Sequence, residues 1–225
     1  MQSIYFVDSN FTYESSKKSI LSIRYATDGF SFCVHDETEK LVVFVHEPYA
    51  ADSREAVVAK LKNYVVNDTI LNLRFKKVYI MPCFKEKLLV PGAFFDKANI
   101  ATLYTVNQEV SPDDTILYHH IEGIEAYLVE TVISSFHDFV REHFPVVQIV
   151  NGAYPFILGA MSKALRDTEQ IFLDIQDNYF DLLFIRDSGI QLFNTFSYKA
   201  MTDIVYFLLN CIKECGINQE KAHLS

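Results

Sequence analysis

The run Ser19-Ile-Leu-Ser-Ile-Arg-Tyr25, Ala26-Thr-Asp-Gly29, Phe30-Ser-Phe-Cys-Val-His35 decides the fold. Apolar and polar side chains alternate on either side of a short turn, which is the period of a strand that buries one face. Asp36-Glu-Thr-Glu39 supplies a second turn and Lys40-Leu-Val-Val-Phe-Val-His46 a third strand, so an antiparallel meander is predicted. Beyond Tyr49 the period changes. Ala56, Val57, Leu61, Tyr64 and Val65 recur at helical intervals behind Ser53, a suitable N-cap, and Lys77-Val-Tyr-Ile-Met-Pro82 then reads as a buried strand. The unit is βββαβ.

The same order returns about 150 residues later, the self-similarity that a duplicated lobe leaves. Gln170-Ile-Phe-Leu-Asp-Ile-Gln176, a turn at Asp177-Asn178, Phe180-Asp-Leu-Leu-Phe-Ile185, a turn at Asp187-Ser-Gly189 and Ile190-Gln-Leu-Phe-Asn-Thr-Phe196 make a second meander. A helix over residues 200–215 follows, with Ile204, Val205, Leu208, Leu209 and Ile212 on one face, Ser197 or Thr202 near its start and Gly216 at its stop. Phe30 corresponds to Phe180, Asp36 to Asp187, Phe44 to Phe193 and Tyr49 to Tyr198. Between the copies the spacing predicts a strand over 115–119, a long amphipathic helix over 123–144, a strand over 146–150 and a helix over 155–165 opened by Pro155. Residues 84–114, with Pro91, Gly92 and Pro112, form the route between the halves. The expectation is an α/β chain of two βββαβα lobes, residues 1–112 and 113–225. The second lobe is incomplete, because its last strand should begin where the sequence stops, at Lys221-Ala-His-Leu-Ser225, so a longer natural chain is expected.

Composition narrows the function classes. Half of the 225 residues are apolar and 22% are charged, enough to bury a substantial core. Twenty Lys and Arg stand against 29 Asp and Glu, a net charge of −9, which argues against nucleic acid or an anionic membrane as partner. No apolar run is long enough to span a bilayer, so membrane insertion is not expected, and the opening Met1-Gln-Ser-Ile-Tyr-Phe-Val-Asp8 lacks the basic and apolar regions of a secretory leader. A cytoplasmic protein with reduced thiols at Cys33, Cys83, Cys211 and Cys215 is expected. Only seven glycines are present, and neither GxxxxGK[ST] nor GxGxxG occurs. His119-His120 with Glu122, and His137 with His143, fit polar positions better than a metal site, because neither set shares one face. No metal ligand set and no catalytic Cys/His pair is expected. A two-metal nuclease would need converging carboxylates, yet Asp28 lies in a different half from Asp174, Asp177 and Asp181.

A duplicated βββαβ unit with a hairpin near the start of each half resembles the RNase H-like repeats of the superfamily of actin, the sugar kinases and the heat-shock chaperones of actin-like fold. Leu21-Ser-Ile-Arg24, Asp28-Gly-Phe-Ser-Phe-Cys33, Phe193-Asn-Thr-Phe-Ser-Tyr-Lys199 and Tyr206-Phe-Leu-Leu209 look like an uncharacterised bacterial family with an actin-like ATPase fold. The superfamily resemblance implies two turns of the form Asp-x-Gly-x-x-Thr/Ser that clamp nucleotide phosphates. Such turns need a glycine so that backbone amides can approach, a hydroxyl donor, and a carboxylate for hydrated Mg²⁺. The residues in the corresponding places are Thr27, Asp28 and Gly29 in the first half, and Asp174, Gln176 and Asn178 in the second. In the first copy Ser22 stands for the carboxylate and Arg24 for the glycine; in the second Asp174 is kept, but Gln176 replaces the glycine and Asn178 or Tyr179 the hydroxyl. The expectation is an interaction or assembly component with degenerate phosphate turns, no cofactor, and either a protein partner or self-association. The alternative is a superfamily member that binds ATP and Mg²⁺ between its halves as an ATPase or phosphotransferase.

Overall fold

Alternating segments become strands, and helices form where the period lengthens to 3.6 residues. The computed structural model describes residues 2–225; Met1, at the head of the segment read for a leader, lies outside them. Strand β1 (Ile4–Val7) and a single helical turn, α1 (Tyr13–Ser16), precede the meander of β2 (Ile20–Ala26), β3 (Gly29–His35) and β4 (Leu41–Pro48). Helix α2 (Arg54–Asn67) is N-capped by the Ser53 hydroxyl, which accepts the Ala56 amide at 3.2 Å. Strand β5 (Lys77–Pro82) then runs parallel to β2.

The route segment is more ordered than its prolines suggest. It holds β6 (Lys87–Pro91), a 3-10 turn at Gly92–Phe94 and α3 (Ile100–Asn107). Strand β7 (Asp114–His120) comes next, and the helix expected over 123–144 divides into β8 (Ala126–Ile133) and α4 (Ser134–His143). Residues 128–132 of β8 are buried on both faces, so their apolar spacing imitates a helix, while the β-branched Val129, Thr131, Val132 and Ile133 favour the strand. Strand β9 (Val147–Ile149) and α5 (Ala153–Ser162) follow. The second meander is β10 (Glu169–Ile175), β11 (Tyr179–Arg186) and β12 (Gly189–Ser197), then α6 (Met201–Glu214) and β13 (His223–Leu224), which pairs parallel with β10.

The strand orders are β1-β4-β3-β2-β5-β9, β12-β11-β10-β13 and β6-β8-β7. Two compact units result, each assembled from separate stretches. The first takes the described residues through Phe84, Val110–Leu117 and Thr131–Gly152; the second takes Lys85–Glu109, Tyr118–Glu130 and Ala153–Ser225. The sequence was expected to divide once, at 112/113. Helix α4 and β9 fall in the first unit because β9 pairs parallel with β5, and Phe136 and Val140 of α4 enter that unit's core.

In the first unit α2 and α4 place Val57, Leu61, Val65, Phe136 and Val140 on Leu21, Ile23, Phe32 and Val43 of the sheet. In the second unit β11 is packed from both sides: Leu183 and Ile185 meet Ala153, Ile157 and Ala160 of α5, while Phe180, Leu182 and Phe184 meet Ile204 and Cys211 of α6.

Candidate functional site

Two hairpin turns carry the six candidate residues, and each turn is held by its own unit. In the first, Ala26 pairs with Gly29 across a two-residue turn of Thr27 and Asp28. The Thr27 carbonyl accepts the Ala51 amide at 3.0 Å and the Asp28 carbonyl accepts the Tyr49 amide at 3.1 Å. Arg24 donates to the Asp28 carboxylate at 3.3 Å, one strand step back from the turn. Gly29 has φ +147°, and a Cβ there would stand 2.6 Å from the Glu47 carbonyl oxygen and 3.0 Å from the Pro48 Cα. The glycine is therefore required by the close passage of β4. Tyr49 closes the set: burial, reinforced by the Asp28 charge and opposed by Arg24, raises its phenol to about 12. Its buried hydroxyl has no hydrogen-bond partner.

The second turn, Asp177-Asn178, is closed by the Gln176 amide donating to the Tyr179 carbonyl at 2.9 Å. The Gln176 side chain donates to the Asp174 carboxylate at 2.9 Å. The Tyr198 amide donates to the Asn178 carbonyl at 3.1 Å and its hydroxyl to the Gln176 carbonyl at 2.5 Å. Tyr49 and Tyr198, matched as landmarks in the sequence, thus perform the same closure. Counting outward from the two turns corrects one detail: Arg24, not Ser22, holds the place in the first hairpin that Asp174 holds in the second. The sequence pattern aligned Asp-x-Gly-x-x-Thr and slipped by one strand repeat, which preserves the face but misses the charge reversal.

Beside Asp174 lies a buried ionic group that the sequence did not single out as a site. Asp181 faces Asp174 across β10 and β11. The Lys87 ammonium lies 2.9 Å from the Asp181 carboxylate, with the two side chains 1% and 2% exposed. Thr195 donates to the same carboxylate at 2.6 Å, and the ammonium also sits 4.6 Å from the centre of the Tyr179 ring. Burial pushes the Asp181 carboxyl up; Lys87 and Thr195 pull it down, and the charge of Asp174 adds to the rise. Lys87 escaped notice because it lies in the route segment, and its only sequence signal is a lysine opening the apolar run Lys87-Leu-Leu-Val90.

Asn178 also borders an open cavity of about 590 Å³ in the second unit, with Lys85, Ser197, Tyr198, Lys199 and Tyr206 among its other walls. Thr27, Asp28 and Gly29 belong to the first unit and Asp174, Gln176 and Asn178 to the second. Among the described residues no group of three or more His, Cys, Asp or Glu is placed to hold a metal ion. His119 is half-buried, which lowers its pKa, and the half-buried His143 stacks on Phe139. All four cysteines are free thiols. No helix among the described residues is long and apolar enough to cross a membrane.

The architecture has a close structural counterpart. A crystal structure from Bacteroides thetaiotaomicron VPI-5482, of a protein "with actin-like ATPase fold and unknown function", matches with a TM-score of 0.87 and 24% identity, covering 95% of this chain and 83% of that one. The chain therefore has an actin-like ATPase fold. Looser matches are the PilM-PilN type IV pilus biogenesis complex (TM-score 0.44, 12% identity, 88% of this chain and 66% of that one) and the ethanolamine utilization protein EutJ from Carboxydothermus hydrogenoformans (0.42, 9%, 95% and 61%). No curated protein matches the sequence. The chain belongs to the family described as "Protein of unknown function (DUF3822)", whose model matches residues 8–225.

Proposed function

We propose that this protein is a non-catalytic, cytoplasmic interaction or assembly component, built on two RNase H-like lobes that arose by internal duplication and whose phosphate turns have become structural. The duplication is supported by the shared strand order, β4-β3-β2-β5 and β12-β11-β10-β13, and by the matched Tyr49 and Tyr198 closures. The observation that carries the reading is the first turn. Its carboxylate is engaged by Arg24, and its glycine is accounted for by the close passage of the β4 backbone, without any call on a phosphate. A guanidinium where the second hairpin has Asp174 removes a place for hydrated Mg²⁺.

A second reading, an ATP-binding protein, draws on the second turn alone. Asp174 is kept there, and Lys85 and Lys199 share the wall of the neighbouring cavity with Asn178, a set suited to a phosphorylated ligand. Thermal unfolding with and without millimolar ATP and Mg²⁺, for the wild type and Asp174→Asn, separates the two. The interaction reading expects no change, whereas ligand at a hundredfold excess over its Kd would add about 2.7 kcal/mol. A rise of several degrees in the wild type that Asp174→Asn abolishes would replace it with the nucleotide reading.

A further inference from the structure

The loop that carries the chain from α2 to β5 borders a second cavity, wholly within the first unit, between residues 71–78 and 143–146. Its volume, about 480 Å³, falls within the roughly 300–1,000 Å³ of small-molecule sites. Leu71, Phe75, Val78 and Phe144, all buried, form its apolar walls, while Val146, another wall residue, is 46% exposed. The walls are fastened in place. The Asp68 carboxylate accepts the Ile70 and Leu71 amides, each at 2.8 Å, and the Asn72 side chain donates to the Val65 and Asp68 carbonyls at 3.0 and 2.6 Å. Farther along, the Lys76 amide donates to the Ser19 carbonyl at 3.0 Å. A cavity held in this way can take a ligand without first ordering a loop.

Charge selects the class of ligand. Among the described residues no carboxylate lines the cavity, and Arg74 is the one wall residue with a permanent charge. His143 adds none at neutral pH, because burial, opposed by a hydrogen bond to the Leu71 backbone, lowers its pKa. The exposed Arg74 takes part in no ion pair among the described residues, and neither do Lys76 and Lys77 of the same segment. From Thr69 to Lys85 the sequence holds no Asp or Glu, so a chain of net charge −9 presents a locally positive corner here, beside an apolar hollow. A cation would meet that field without a counter-charge. An anion with an apolar body satisfies both halves of the site.

We propose that this cavity is a binding site for a small amphipathic anion, whose apolar body lies against Leu71, Phe75, Val78 and Phe144 and whose carboxylate pairs with Arg74. Arginine suits the role because its planar fork takes a carboxylate through two parallel hydrogen bonds. The cavity shares no residue with either hairpin turn, so its occupancy is additional to the interaction reading and does not depend on it.

Titration calorimetry of the full chain with octanoate, 1-octanol and octylammonium is the test, since the three share a tail and differ in charge. Octanoate should bind at one site, about tenfold tighter than octanol, and octylammonium no better than octanol. Arg74→Gln, at an exposed position, should remove most of the advantage of octanoate and leave the affinity for octanol unchanged, a split that a general loss of structure would not produce. Val146→Trp, which crowds the cavity from an exposed position, should weaken octanoate and octanol together with an unchanged melting temperature. Lys199→Gln, on the wall of the cavity in the second unit, should change nothing. An absence of octanoate binding up to millimolar concentration overturns the proposal, as does equal affinity for the three ligands, since apolar contact alone would then account for it. Binding that ignores both Arg74→Gln and Val146→Trp, or that Lys199→Gln abolishes, puts the ligand elsewhere and overturns it as well.

Discussion

Strands β3 and β11 hold the same place in their meanders, yet their surroundings differ. In β3 buried residues alternate with half-buried ones, because α2 and α4 both pack on one face. In β11 seven consecutive residues are buried, because α5 covers one face and α6 the other. The second environment is dry enough to trap charge. Ser31 of β3 and Asp181 of β11 lie equally far from their turns, and only Asp181 is locked to a buried ammonium. One topology thus yields a tolerant sheet and an intolerant one, and the placement of helices makes the difference.

The comparison is broken most directly at those paired positions. Asp181→Ala breaks the buried pair with Lys87 and removes the acceptor of the Thr195 hydroxyl, and should cost about 3–5 kcal/mol, whereas Ser31→Ala should stay within about 0.5 kcal/mol, both read by urea denaturation. Equal effects would show that β11 is no drier than β3. The turns come next. Gly29→Ala drives a methyl into the Glu47 carbonyl at a positive φ and should cost about 1–3 kcal/mol, while Asn178→Ala, in a turn that uses only its backbone carbonyl, should be nearly neutral. Thermal melts of the two variants, side by side, decide whether the first turn is the more rigidly specified.

The smallest effect lies at the end of α6. The Asn218 amide, and after it Arg186, hold the Glu169 carboxyl below its usual range. A depressed carboxyl contributes stability that is present above the ordinary glutamate value of 4.5 and fades as the pH falls through the lower folded value. Glu169→Gln should therefore lower stability by under about 1 kcal/mol at neutral pH. It should also flatten the loss of stability below the usual glutamate range, measured as the denaturation midpoint against pH.

Much of the fold was legible because the first meander alternates, turn residues at 177–178 and 187–189 bound the strands of the second, and α2 carries its own cap at Ser53. Strand β1 was missed because Ile4, Tyr5 and Phe6 are all exposed, so it has no buried face to impose a period. Strand β8 was read as helix for the opposite reason, since burial on both faces erases alternation. Thr27, Asp28, Gly29, Gln176 and Asn178 lie in or beside the two hairpin turns, and Asp174 on the strand that enters the second. What stands in front of each turn was not legible: the approach of Glu47 to Gly29 depends on the β3 to β4 register, and the meeting of Lys87 with Asp181 on a strand the sequence concealed.

The crowding at Gly29 bears on how relatives of this chain should be compared. Packing alone would reject a side chain at that position, even in a lineage that never met a nucleotide, so an invariant glycine there would be silent about phosphate. The informative position is Arg24. A relative with a carboxylate in its place, and no cation to replace it, would be the one in which to look for a working ATPase.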